Sequence, residues 1–251
     1  MNNLELEQLL NQKLNSDKIS DYAPNGLQVE GKTDVKKIVT GVTASQALID
    51  YAVSQKADAI LVHHGYFWKS ENPCIRGMKG KRIKTLLIND INLYGYHLPL
   101  DIHPKLGNNA QLAMLLGIEN LQPLENSPTS IPVWGTLREP ISAADFTARI
   151  ESVLNRKPLI CTENGPHLIR KIGICTGGGQ GYIDLAAMQG CDAFITGEVS
   201  EQTIHSAREQ NIHFFAAGHH ATERYGIKAL GEWLAKEYGF EVEFKDIDNP
   251  A

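Results

Sequence analysis

Two similar α/β domains related by internal duplication, each a mixed sheet flanked by helices, are predicted from three observations. The first is an uninterrupted apolar run, Ala59-Ile60-Leu61-Val62, that stops at His63, His64 and Gly65. Such a run reads as a strand buried on both faces, and open α/β sheets carry their chemistry at the carboxyl ends of such strands. The second is that the strand, turn, helix, strand pattern of residues 37–64 recurs. Laying residues 170–198 over residues 36–64 needs no gap and matches Lys37/Lys171, Ile38/Ile172, Gln46/Gln180, Ile49/Ile183, Asp50/Asp184, Ala52/Ala186, Gln55/Gln189, Asp58/Asp192 and Ala59/Ala193. Gln46 and Asp58 weigh most, because unrelated units tend to share apolar positions only. The third is that the short apolar strand at 91–96 is answered by 212–217. Each leads into a histidine with an acid four residues on, His97/Asp101 and His219/Glu223.

Taken in order, leucines at 4, 6, 9, 10 and 14 predict an amphipathic first helix that ends near Asn15-Ser16. Pro24-Asn25-Gly26 brings turn chemistry, and the loop around it, residues 22–31, can reach into a site. Residues 44–55 read as the helix between the first two buried strands. An extra segment, roughly residues 69–82, has no partner in the second half. Helical periodicity returns at 109–116 and 226–238. Pro123, Pro128, Pro132 and Pro140 mark residues 121–139 as a joint between domains. The expected domains are therefore 1–122 and 123–251, and the alternating last strand, 240–244, lies at a sheet edge with either domain open to it.

Composition sets the broad class. A chain of 251 residues, 42% hydrophobic and 21% charged, is an ordinary globular one, and a net charge of -5 argues against general nucleic-acid binding. Cys74, Cys161, Cys175 and Cys191 form no C-x-x-C pair and read as reduced core residues of a cytoplasmic protein. The first residues lack the basic and apolar regions of a secretion signal, and no apolar run approaches membrane-spanning length. A cytoplasmic location with no membrane partner is expected.

Chemistry is expected where the strand ends gather. Neighbouring side chains on a strand point to opposite faces, so His63 and His64 converge only if the backbone turns after the first, which Gly65 permits. A pseudo-twofold pairing of the halves would bring His63, His64, His97 and Asp101 to Glu198, His219 and Glu223 in one cleft. Imidazole mixed with carboxylate suits zinc, iron or manganese. The set is too large for one tetrahedral zinc with an open position, so two divalent ions fit better. Two such ions outweigh the charges of Asp101 and Glu223, which favours a bound hydroxide and an anionic ligand, and hence hydrolysis.

Val62-His63-His64-Gly65, His97-Leu98-Pro99-Leu100-Asp101, Thr196-Gly197-Glu198 and Gly218-His219-His220-Ala221-Thr222-Glu223, with Pro24-Asn25-Gly26-Leu27-Gln28 near the start, resemble the GTP cyclohydrolase 1 type 2 homolog family, also called the NGG-interacting-factor-3-like family. The resemblance covers essentially the whole chain, in the compact form without an inserted domain. It implies a dinuclear metal centre held by His63, His64, Asp101, His219 and Glu223, with Glu223 as the bridge. It also implies a ring-shaped homohexamer and hydrolytic opening of the imidazole ring of GTP. His97 and Glu198 lie outside that ligand set and are expected to orient a ligand or move protons. A metal-dependent phosphoesterase and a metal-stabilised scaffold without catalysis are the alternative readings.

Two further stretches can touch a substrate. Thr176-Gly177-Gly178-Gly179-Gln180 follows a strand and opens a helix, which suits either a phosphate on backbone N–H groups or tight helix–strand packing. Arg76, Lys79, Lys81, Arg82 and Lys84 either hold an anionic substrate or form a solvated helix start. His205, four residues after Glu201, reads as half of an exposed ion pair.

Overall fold

The computed structural model describes residues 1–251. In chain order the first unit holds α1 (Asn3–Leu14), β1 (Gly26–Val29), β2 (Lys37–Thr43), α2 (Gln46–Ser54), β3 (Ala59–His64), α3 (Gly77–Ile88), β4 (Asn92–Gly95) and α4 (Leu98–Ile102). The second holds α5 (Asn108–Leu116), β5 (Ile118–Pro123), β6 (Val133–Ile141), α6 (Ala143–Leu154), β7 (Leu159–Cys161), β8 (Ile169–Cys175), α7 (Ile183–Met188), β9 (Ala193–Thr196), α8 (Glu201–Glu209) and β10 (His213–Ala216). Helix α9 (His219–Tyr238) starts in the second unit, and from Gly226 it belongs to the first, which it re-enters with β11 (Glu241–Phe244). The units are thus Met1–Leu106 with Gly226–Asp248, and Gly107–Tyr225 with Asn249–Ala251. No helix is long and apolar enough to cross a membrane.

In the first unit the sheet runs β1-β4-β3-β2-β11, parallel except for β1. Side chains alternate across it as a pleated strand requires. Ile38, Val42, Ala59 and Leu61 face the leucines Leu6, Leu10 and Leu14 of α1 and Ile227, Leu230 and Leu234 of α9. Val39, Ile60 and Val62 face Leu48, Ile49 and Ala52 of α2 and Ile83 and Leu86 of α3. Helix α1 is set by a capping box, in which Asn2 accepts from the Leu4 N–H while Glu5 accepts from the Asn2 N–H, and it stops at Asn15 in a left-handed conformation. The last strand pairs with β2 at the sheet edge, with Glu241 exposed and its other residues half-buried.

The second unit has the order β5-β6-β8-β9-β10-β7, with β8, β9 and β10 parallel and the other pairings antiparallel. Ile172, Ile174, Ala193 and Ile195 pack on one face with Leu112, Phe146 and Ile150, and Phe194 and Phe214 pack on the other with Ile183, Ala186 and Ala207. Residues 121–139 are not a joint. Most of them build β5 and β6, a pair joined by the proline-containing turn, in which Glu125, Ser127 and Ser130 accept the backbone N–H groups that the prolines leave without a ladder. Of the cysteines, Cys161, Cys175 and Cys191 are buried, whereas Cys74 is exposed ahead of α3.

The duplication is visible in hydrogen bonds. Asp58 Oδ2 accepts from the N–H groups of Lys36 and Lys37 at 2.8 and 2.9 Å, and Asp192 Oδ2 accepts from those of Arg170 and Lys171 at 2.9 and 2.8 Å. The polar identity that singled out the repeat is therefore one device used twice: a carboxylate that starts the neighbouring strand in register.

Candidate metal centre

Each unit assembles its own group of donors at strand ends. In the first, His63 and His64 close β3, and their rings come within 4.5 Å although the strand stays paired through His64 to Thr43. No left-handed turn at Gly65 is needed. The glycine is required by Gln28 instead, whose Oε1 accepts from the Tyr66 N–H at 2.7 Å and would overlap any Cβ at Gly65. One ring nitrogen of each of His63, His64 and His97 lies within 4.8 Å of the others. Asp101, buried on α4, brings Oδ1 to 3.5 Å from His63 Nε2.

The outer partners of these rings decide their tautomers. His63 Nδ1 donates to the Tyr96 carbonyl oxygen at 2.9 Å, which leaves the ring lone pair on Nε2. His97 Nδ1 lies 2.9 Å from Asp21 Oδ1, and His64 Nδ1 lies 3.2 Å from Thr43 Oγ1. Asp21 also accepts from the Leu98 N–H that opens α4, from the Ala23 N–H and from the Asn25 amide, while Asn25 Oδ1 accepts from the His97 N–H. Burial alone would raise this carboxyl, but the hydrogen bond and charge of His97, with Asn25 and Leu98, outweigh it and hold Asp21 at about 2. Sequence reasoning missed Asp21. Its only signal is the adjoining Pro-Asn-Gly turn, in which Asp and Asn fold short loops by accepting backbone N–H groups.

In the second unit His219 and Glu223 stand one turn apart on α9, with Nε2 and Oε2 separated by 3.2 Å. Glu198, just beyond β9, accepts from His219 Nδ1 at 2.6 Å. Burial pushes the His219 ring down, but Glu223 and then Glu198 more than compensate and raise it to about 9. The glycine loop after β8 forms the floor. Gly177 has φ +66, its N–H donates to Thr222 Oγ1 at 3.0 Å, and a Cβ there would overlap Glu223 Oε1. Close approach to the carboxylate accounts for Gly177, while a Cβ at Gly179 would overlap Cys175 Sγ, the tight packing that the sequence offered as one reading of this loop. His205 pairs with Glu201 at 2.9 Å on the exposed face of α8, as its spacing predicts.

The two histidine-to-acid motifs are not equivalent positions. The register pairs Ala59 with Asn92 and Ala193 with His213, so His97 corresponds to Gly218 and Leu98 to His219. The helices agree, since the Asp101 N–H donates to the His97 carbonyl and the Thr222 N–H to that of Gly218. Accordingly His219 meets its own Glu223, whereas His97 turns to Asp21 and Asp101 to His63.

The chain thus presents buried His, Asp and Glu side chains in groups that could hold a metal ion, and the engaged Nδ1 atoms of His63, His97 and His219 leave Nε2 as the donor such an ion needs. The sequence model of the Duf34/NIF3 (NGG1p interacting factor 3) family matches residues 1–250. The chain belongs to this family. Relatives named GTP cyclohydrolase 1 type 2 homolog, from Haemophilus influenzae and Pasteurella multocida, are 85% and 81% identical over all of both chains. Among solved structures, protein ybgI, described as of unknown function, is 64% identical with a TM-score of 0.97, each chain fully covered. TTHA1606 from Thermus thermophilus is 32% identical with a TM-score of 0.89, again over all of both chains. The Duf34/NIF3 fold is therefore the fold of this chain.

Proposed function

We propose that this Duf34/NIF3 chain is a divalent-metal-dependent hydrolase of an anionic, nucleotide-like small molecule, related in activity to what its GTP cyclohydrolase 1 type 2 homologs are named for. In this reading His63, His64 and Asp101 from the first unit and His219 and Glu223 from the second hold a pair of zinc, iron or manganese ions. The observation that carries it is that Nδ1 of His63, His97 and His219 is each engaged by an oxygen acceptor outside the group, which aims the Nε2 lone pairs inward. Bound divalent ions supply Lewis acidity and bring the ionisation of water to near pH 7.

The remaining work falls to the chain's own side chains. His97 and Asp21 form a buried pair: the carboxylate fixes the imidazole tautomer and stabilises the imidazolium formed when the ring takes a proton from water, a proton the ring then gives to the leaving group. Glu198 orients His219 through one oxygen and, with its side chain 46% exposed, passes protons between the site and solvent. The same groups serve attack at a purine carbon or at phosphorus. The family resemblance further supports a homohexamer, which sedimentation tests directly.

A second arrangement is favoured by the position of His97 itself, whose nitrogen lies within 4.8 Å of those of His63 and His64. There His97 is a ligand rather than a proton carrier. His97→Gln separates the two, losing turnover with metal retained in the first and losing metal in the second. The main experiment is metal analysis of anaerobically purified protein, followed by formate release from GTP and cleavage of a chromogenic phosphodiester, with Asp101→Asn as control. About two ions per chain and turnover lost in the control are expected. Metal-free protein, or turnover indifferent to Asp101, would overturn the reading.

A further inference from the structure

Aromatic side chains crowd the same histidines in the first unit. The Trp68 ring stands edge-on to His97 with centroids 4.9 Å apart and lies 5.9 Å from His64. Tyr22 meets His97 edge-on at 5.0 Å and Trp68 at 5.7 Å. Tyr22 is nevertheless 55% exposed and Trp68 only partly buried, so these rings present surface rather than fill a core.

The loop that carries Trp68 is held in place at some cost. Phe67, immediately before it, has φ 64, a left-handed conformation that bulky residues rarely adopt and that concentrates at functional sites. Glu71 compensates by accepting from the N–H groups of Phe67 and Trp68 at 2.7 and 3.2 Å, and Lys79 secures Glu71 at 3.3 Å while lying over the Phe67 ring. Trp68 Nε1 donates to the Gly65 carbonyl at 3.2 Å, and the Lys69 N–H donates to that of Tyr22 at 2.8 Å, so both rings are fixed to the end of β3 and to each other. The second unit builds an equivalent β8-β9-β10 core, yet passes from β9 into α8 with no comparable loop. The fold does not need it.

We propose that Trp68 and Tyr22 form a stacking platform for a flat heteroaromatic ring beside the histidine group, with Trp68 setting specificity for ligands that carry such a ring. The proposal rests on the reading above that the site takes a nucleotide-like molecule. Every base offers a π face to an aromatic side chain, and removing such a partner weakens binding by about 5- to 150-fold.

The test is binding of guanosine 5'-monophosphate and of ribose 5-phosphate, by equilibrium dialysis, to the intact metal-loaded protein and to Trp68→Phe and Trp68→Ala. Guanosine 5'-monophosphate should bind more tightly than ribose 5-phosphate, with affinity within about threefold in Trp68→Phe and reduced about 5- to 150-fold in Trp68→Ala. Ribose 5-phosphate binding should be the same in all three, which a merely structural role for Trp68 would not produce. Equal binding of the two ligands, undetectable binding of both, or a Trp68→Ala protein that keeps its preference would overturn the platform. Hydrolysis is read separately. Turnover of GTP by Trp68→Ala with unchanged KM sinks the platform and leaves the hydrolase, whereas base-selective binding without turnover sinks the hydrolase and leaves the platform.

Discussion

Replacing Asp21 by Asn keeps the shape of the side chain and removes the charge that holds His97. Asp21 is the hub of the first unit's site, since its side chain is 2% exposed and accepts from His97, Leu98, Ala23 and Asn25. Its carboxyl falls from an ordinary 3.8 to about 2 on folding, and at about 1.4 kcal/mol per pH unit that drop is a stabilisation of about 2 kcal/mol. The sign follows from the direction. A depressed carboxyl contributes fully above its unfolded value near 3.8 and loses the contribution as pH falls towards 2. Urea unfolding of wild type and Asp21→Asn, followed from pH 6 to pH 2.5, should show a gap of about 2 kcal/mol at the upper end that closes as the wild-type carboxyl protonates. Turnover should fall in the variant throughout, because an amide can hydrogen-bond the ring in either tautomer. A gap below about 0.5 kcal/mol at pH 6, or one that does not narrow in acid, would refute the account of how His97 is held.

Other outcomes follow from the same geometry. With its ring raised to about 9, His219 holds a proton in the metal-free protein at neutral pH, so ion uptake must release it. Apparent metal affinity should therefore climb by up to about tenfold per pH unit between 6.5 and 9, and competition titrations that find it flat across that window would contradict the assignment. Without metal, the raised ring contributes stability below pH 6.5 that disappears as pH rises through about 9. Gly177→Ala puts a Cβ in a left-handed backbone against Glu223 and should lower stability by about 1–3 kcal/mol. In calorimetry, an unchanged Tm would show that the loop gives way freely. Asp58→Ala and Asp192→Ala each remove an acceptor of two strand-start N–H groups and should cost similar amounts, about 1.5–3 kcal/mol, in chemical denaturation. If one of them is neutral, the shared role of the repeated aspartate is wrong.

What could be read from residue order was what local pattern encodes. Both parallel cores announced themselves through β-branched runs and boundary aspartates, and the candidate ligands His63, His64 and His219 stood beside strand ends that the apolar pattern marked. Residues 121–139 misled because proline density signals a break in hydrogen bonding, and a break in a proline-containing turn looks the same as a break between domains. Asp21 was illegible for a different reason. It reaches His97 across 76 positions of sequence, and nothing local distinguishes an aspartate that shapes a turn from one that also grips a distant ring. Trp68 was hidden in the same way, just ahead of a segment noticed for its basic charges, of which Lys79 serves Glu71 and Phe67.

The one-residue offset between the histidine-to-acid motifs shows what duplication preserved. Backbone hydrogen bonds at the strand starts are shared position for position, through Asp58 and Asp192, because any change there would misregister a sheet. The donors are not shared: His63 and His64 answer Gly197 and Glu198, His97 answers Gly218, and His219 answers Leu98. The first unit came to hold three imidazoles and Asp101, the second one imidazole between two carboxylates. Where Gly197 and Gly218 replace the first unit's histidines, backbone closes in: the Gly197 N–H donates to the Gly177 carbonyl and a Cβ at Gly218 would meet Arg156. Each unit therefore carries a different donor mix at the same topological place, imidazole-rich in the first and carboxylate-rich in the second.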